Sequence, residues 1–168
     1  MTPDEMVVAA MEVAEEGMRN GELPIGAVVF EGDELVGRAF TRDSVGRLMH
    51  ADLLAMRQVD ERKRDAKAGG RPRAVLRLAV NLEPCLMCLG AAMSLGVKEI
   101  YYGLSSPGDG AAGIARSWEP GVGMGWYRAP EMHGGIRAEE VRGQFRRYCA
   151  SAAEGPLKSW ANTLANGT

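Results

Sequence analysis

Residues 74–102 read AVLRLAVNLEPCLMCLGAAMSLGVKEIYY. Residues 74 to 81 are a short, Val- and Leu-rich run, which predicts a buried strand. Residues 85 to 95 have helix length and stop at Gly96. Residues 99 to 102 predict a further strand. Strands alternating with helices imply an α/β sheet covered on both faces. The middle of this stretch also carries Cys85 and Cys88 at the predicted helix start.

The flanks extend the same pattern. Thr2-Pro3-Asp4-Glu5 predicts a helix start, with Thr2 as cap, Pro3 at the first position and Glu5 closing a capping box. Val7, Met11, Ala14 and Met18 follow at helical spacing, and Asn20-Gly21 ends the element. Residues 26 to 30 (GAVVF) predict a strand. The turn Glu31-Gly32-Asp33 joins it to a second strand over 34 to 41, making a hairpin. A second helix is predicted to start near His50, with Leu53, Leu54 and Met56 on its apolar face. Residues 60 to 73 are charged and read as a solvated helix end plus loop.

Beyond the central stretch, residues 103 to 125 are rich in Gly and Ser and predict a mobile loop. GVGMG at 121–125 does not follow a strand and open a helix, so it does not read as a dinucleotide fingerprint. A last strand is expected near Ile136. A final helix is expected from Ala138, with Val141, Phe145 and Tyr148 on one side. Residues 158 to 168 read as a frayed tail. No repeat or interdomain linker stands out. The expected organisation is a single domain over 1–155 and a C-terminal tail over 156–168.

Composition narrows the function. Hydrophobic residues make up 46% of the 168 and charged residues 25%, which excludes disordered, collagenous and coiled-coil classes. No apolar run is long enough for a membrane helix. The opening MTPDEMVVAA carries acids where a secretory leader would be basic, so a cytoplasmic chain is expected. The formal net charge of -2 argues against nucleic-acid binding driven by global charge, but permits a local patch. Three cysteines, Cys85, Cys88 and Cys149, suit a reducing compartment better than a disulfide framework.

His50, Cys85 and Cys88 carry the chemistry. Two cysteines three apart at a helix start can direct both sulfurs to one point, where the helix N-terminus favours negative charge. His50, from another helix, would be a third ligand. Three protein ligands leave one tetrahedral position open, as in catalytic zinc sites, and zinc lowers the pKa of its water to about 7. A CxxC pair alone also permits a redox dithiol. A structural zinc site would need a fourth ligand, and the candidates are His133 and the distant Cys149. The flanking residues decide between these readings. His50-Ala51-Asp52 followed by Pro84-Cys85-Leu86-Met87-Cys88 closely follows the H-x-E then P-C-x-x-C signature of zinc nucleobase deaminases.

The chain resembles the bacterial tRNA adenosine deaminases and related nucleobase deaminases of the cytidine-deaminase-like superfamily. The resemblance runs from the first helix to about Tyr148. It includes Leu23-Pro24-Ile25-Gly26-Ala27-Val28, Leu82-Glu83-Pro84-Cys85 and Gly110-Ala111-Ala112-Gly113. It implies a three-layer α/β/α sandwich with a five-stranded mixed sheet, a homodimer, and hydrolytic loss of ammonia from an aromatic ring. It implies Zn2+ on His50, Cys85 and Cys88, and a proton-shuttling carboxylate at position 52. The same resemblance implies substrate contacts from the backbone around Ala51 and Glu83, with Pro24, Ile25 and Thr41 shaping the pocket.

Three departures stand out. Asp52 occupies the family's Glu position and is one methylene shorter, roughly 1.5 Å of reach. It is consistent with a natural enzyme of altered substrate preference, a deliberate substitution, or a weak or inactive zinc-binding homologue. Thr41 stands where the family usually has Asn, so one hydroxyl replaces a bidentate amide. Ser105-Ser106-Pro107-Gly108-Asp109 stands where the tRNA enzymes usually carry Arg-Asp-x-Lys-Thr, so two phosphate-binding cations are missing. Arg142, Arg146 and Arg147 give the last helix a modest basic face that reads better as solvated than as an RNA site. Trp118, Trp126, Tyr127 and Phe145 are candidate base-stacking aromatics.

The expected activity is deamination of a free nucleobase or analogue of cytosine, guanine, adenine or triazine type. The alternative is a tRNA wobble-adenosine deaminase. A small-molecule substrate, possible tRNA binding and no membrane partner go with these readings.

Overall fold

The computed structural model describes residues 1–65 and 74–167. Its helices are α1 (Pro3–Arg19), α2 (Ala51–Asp65), α3 (Leu86–Leu95), α4 (Ala112–Ser117), α5 (Ala138–Ser151) and α6 (Pro156–Asn166). Its strands are β1 (Gly26–Glu31), β2 (Glu34–Phe40), β3 (Leu76–Leu82), β4 (Glu99–Leu104) and β5 (Glu131–His133). They form one mixed sheet in the order β2-β1-β3-β4-β5. β1 pairs antiparallel with both β2 and β3, whereas β3, β4 and β5 run parallel. α3 makes the crossover between β3 and β4, as parallel neighbours require.

Side-chain alternation builds the layers. Ala27, Val29, Leu78, Val80 and Ile100 face a core shared with α2 and α3. Val28, Phe30, Ala79 and Tyr101 face a second core under α1. A third cluster joins the ends of β3 and β4 to α5 and α6 through Leu82, Leu104, Val141, Phe145 and Leu164. The expected five-stranded α/β sandwich is the observed fold.

Local signals account for several ends. Thr2 accepts the Glu5 N–H at 3.2 Å while Glu5 accepts the Thr2 N–H at 2.7 Å, the reciprocal cap expected from the sequence. Gly96 ends α3 in the left-handed conformation. Gly37 lets α2 lie against β2, because a Cβ there would stand 2.3 Å from the Ala55 carbonyl oxygen. That close approach fixes the height at which the start of α2 meets the sheet.

Three expectations need correction. The last strand lies at 131–133 rather than near Ile136, because Gly135 takes a positive φ of 83° and turns the chain. The Gly-rich stretch 103–125 contains the end of β4 and the short helix α4. The stretch expected to fray is ordered over 158–166, and 168 lies outside the described residues. It lies in α6 through Asn166, with Ala161, Leu164 and Ala165 buried against α5. Of the charged stretch 60–73, residues 60–65 extend α2, and 66–73 lie outside the described residues. Among the described residues, no helix is long and apolar enough to cross a membrane.

Candidate active site

The site lies where α2 and α3 begin. The chain leaves β2 at Thr41, and the Arg42 N–H donates to the Met49 carbonyl at 2.8 Å, closing the intervening loop. His50 is thereby returned beside Thr41. The buried Thr41 Oγ1 accepts the Ala51 N–H at 3.0 Å, and the His50 carbonyl accepts the Leu54 N–H at 2.9 Å. Together these contacts satisfy backbone groups of the first turn of α2.

Cys85 is the N-cap residue of α3, and Cys88 lies in its first turn. The loop before α4 holds this end. The Ala111 N–H donates to the Pro84 carbonyl at 2.9 Å. The Glu83 carboxylate accepts the Ser106 N–H at 3.0 Å and the Ala112 N–H at 2.9 Å. Gly110 is required here, because a Cβ would fall 2.3 Å from Glu83 Cδ.

The three donors predicted from sequence converge. His50 Nδ1 lies 3.6 Å from Cys85 Sγ and 3.7 Å from Cys88 Sγ, and all three atoms lie within 4.8 Å of one another. An imidazole nitrogen and a thiolate on one tetrahedral zinc stand about 3.6 Å apart, from Zn–N of about 2.05 Å and Zn–S of about 2.3 Å. The donor set therefore fits zinc in spacing and chemistry. His133 is elsewhere, on β5 beside Glu131 of the same strand and Glu99 of β4, and Cys149 is buried on α5. Neither supplies a fourth ligand.

Electrostatics at the cluster are tightly linked. Contact with the Cys88 thiol, followed by His50, pulls Cys85 down to about 4. The Cys85 thiolate and burial push Cys88 up. Two sulfurs this close ionise together only around a cation. Contact with Cys85 also raises His50. Asp52 is 4% exposed, and its Oδ1 accepts the Cys88 S–H at 2.8 Å. Burial pushes its carboxyl up.

These groups border a cleft of about 440 Å³. Ile25, Thr41, His50, Asp52, Glu83 and Cys85 line it. Pro24 does not; its carbonyl instead accepts Asn81 Nδ2 at 2.8 Å beneath the cleft. The Ala51 N–H is committed to Thr41 and the Glu83 carboxylate to the α4 loop, so both hold the site's frame.

The aromatic candidates fall elsewhere. Trp118 and Trp126 pack edge-on against Tyr127, and Phe145 is core. Trp160 and Leu157 of α6, not anticipated from sequence, line the cleft together with Asp43, Arg47 and Asp109. The spacing of Leu157, Trp160, Ala161 and Leu164 was the available signal for α6. The three arginines of α5 are engaged within the chain. Arg142 and Arg146 donate to the Leu164 and Ala165 carbonyls, and Arg147 contacts Glu15.

The chain is 36% identical over 164 residues to a tRNA(Ile)-lysidine synthase of Deinococcus radiodurans, covering 88% of this chain but 26% of that protein. It therefore spans about a quarter of that relative's length. It is 30% identical over 105 residues to a tRNA-specific adenosine deaminase of Streptococcus pyogenes, covering 61% of this chain and 63% of that protein. A solved structure from a study of A-to-I editing by tRNA:A34 deaminases superposes with a TM-score of 0.67 at 26% identity. That match covers 83% of this chain and 98% of the other. The family model of the cytidine and deoxycytidylate deaminase zinc-binding region matches residues 1–104, which hold all three donors and Asp52, and the chain belongs to that family.

Proposed function

We propose that the protein is a zinc-dependent hydrolytic deaminase of a free nucleobase or base analogue. The observation that carries the choice of substrate is the cation-poor cleft. Among the described residues Arg47 is the one arginine that lines it, against the carboxylates of Asp43, Asp52, Glu83 and Asp109. Phosphate affinity comes largely from cations, whereas a neutral ring with an exocyclic amine needs hydrogen-bonding groups and apolar walls.

His50, Cys85 and Cys88 would hold the metal, and bound zinc would supply a water that ionises near neutrality. Asp52 is the proton carrier. It takes the proton released as water oxygen bonds to the ring carbon bearing the amine, and passes it to the adjacent ring nitrogen. It then takes the proton of the new hydroxyl and hands it to the amine, whose bond to the ring carbon breaks as ammonia leaves and a carbonyl remains. Thr41 holds the start of α2, and hence His50 and Asp52, through the Ala51 N–H.

A second reading is favoured by relatives. The Streptococcus pyogenes protein and the superposed tRNA:A34 structure are both named for tRNA adenosine deamination. On that reading the protein converts a wobble adenosine to inosine. Ammonia release from cytosine, guanine, adenine, a triazine and a tRNA anticodon stem-loop separates the two. Turnover of a free base is expected, and turnover of the stem-loop alone overturns the proposal. The homodimer belongs to the same proposal and is tested by sedimentation of the zinc-loaded protein.

A further inference from the structure

α6 lies outside the span matched by the family model, yet it reaches the cleft. The helix is firmly seated. Ala161, Leu164 and Ala165 are buried against α5. The Trp160 ring meets Phe145 edge-on, with centroids 6.1 Å apart and an interplanar angle of 83°. Arg142 donates to the Leu164 carbonyl at 2.7 Å and Arg146 to the Ala165 carbonyl at 3.1 Å, which holds the far end. Trp160 is thus a half-buried indole in a fixed position on the wall of the cleft that contains His50 and Asp52. The exposed Leu157 lines the cleft one turn earlier. None of the other aromatic candidates borders it.

We propose that Trp160, flanked by Leu157, is the stacking platform for the substrate base. This rests on the free-base reading above. A fixed indole face binds any planar ring without reading its edge. The discrimination between rings then falls to polar groups elsewhere in the lining, Thr41 and Asp52 among them. Stacking is made equally in the ground state and the transition state, so its removal is read in KM rather than kcat.

The test uses the zinc-loaded full chain with cytosine, adenine and guanine. For whichever base the wild type turns over, Trp160→Ala should raise KM roughly 5- to 150-fold, with kcat little changed. Trp160→Phe should recover most of the loss. The same base should quench tryptophan fluorescence in the wild type and in a Trp118→Phe, Trp126→Phe double variant, and should not do so in Trp160→Phe.

An unchanged KM in Trp160→Ala, or quenching that survives Trp160→Phe, overturns the stacking role. If Trp160→Ala fails to fold, the fluorescence of Trp160→Phe and the KM of Leu157→Ala decide. Quenching confined to Trp160 with a raised KM supports the platform, and any other pairing overturns it. If no free base is turned over and the tRNA stem-loop is, the free-base reading itself falls, and the platform proposed for a free base falls with it.

Discussion

The carboxylate of Asp52 touches the sulfur of Cys88, with Oδ1 and Sγ 2.8 Å apart in a buried contact. The group cast as proton carrier is therefore fixed directly against a proposed metal ligand, from a neighbouring helix. The contact needs a proton between the two groups, so with Cys88 ionised on zinc the reach of the carboxylate is set by the short aspartate side chain. Asp52→Asn preserves shape and removes the base. It should reduce ammonia release by about 10²- to 10⁴-fold while zinc content stays unchanged. Asp52→Glu pushes the carboxyl roughly 1.5 Å further into the cleft. A misplacement of about 1 Å can cost ~10²-fold in rate, so activity should fall. A large gain instead would make Asp52 an impaired position and the natural chain a weak enzyme.

The metal cluster makes a separate prediction. Elemental analysis should find one zinc per chain, as expected of one set of two sulfurs and an imidazole at tetrahedral spacing. His50→Ala, Cys85→Ser and Cys88→Ser should each lose most of that zinc and nearly all turnover. Cys149→Ser should retain both, because Cys149 lies on α5 away from the cluster. Equal zinc in Cys88→Ser and wild type would remove Cys88 from the site.

The contrast between these donors and the rest of the site shows what a one-dimensional reading can reach. Cys85 and Cys88 share one helix start, and Thr2 and Glu5 share another, so spacing alone announces them. The site's frame is different, because its partners are distant in sequence. Asn81 reads as an unremarkable polar residue at the end of an apolar strand. Glu83 reads as part of a motif, whereas its carboxylate actually binds backbone 23 and 29 residues further on. α6 was misread because its polar residues and flanking Gly155 obscure a stripe that gains meaning only beside Phe145.

Asn81 supplies the clearest stability test. It is 0% exposed and sits between three elements. Its Oδ1 accepts the Gly26 N–H at 3.0 Å, and its Nδ2 donates to the Pro24 carbonyl at 2.8 Å and to Gln144 Oε1 at 2.9 Å. Gln144 passes the connection on to the Met11 carbonyl at 2.9 Å on α1. Asn81→Ala takes this partner from buried groups at Gly26, Pro24 and Gln144, at about 1–3 kcal/mol for each that finds no other. Urea denaturation should therefore show a loss of about 2–5 kcal/mol. A loss below about 1 kcal/mol would mean that these groups find other partners.

Glu83 and Gly110 provide a test of how the cleft is held without touching any proposed zinc ligand. The carboxylate grips both ends of the α4 loop, and the bare backbone of Gly110 leaves room for it. Gly110→Ala places a methyl 2.3 Å from Glu83 Cδ. Either the carboxylate or the loop must move. Crowding of this kind costs about 1–3 kcal/mol, and each charge-assisted hydrogen bond lost adds about 1.5–3 kcal/mol. Because Pro84 accepts the Ala111 N–H from the same loop, the displacement reaches Cys85. Gly110→Ala should therefore lower both the thermal midpoint and zinc affinity. Glu83→Gln should be milder, since its amide oxygen still accepts one of the two N–H groups without the charge. A Gly110→Ala protein with wild-type melting and wild-type zinc retention in a chelator titration would show that the Glu83 latch does not position the cysteine end of the site.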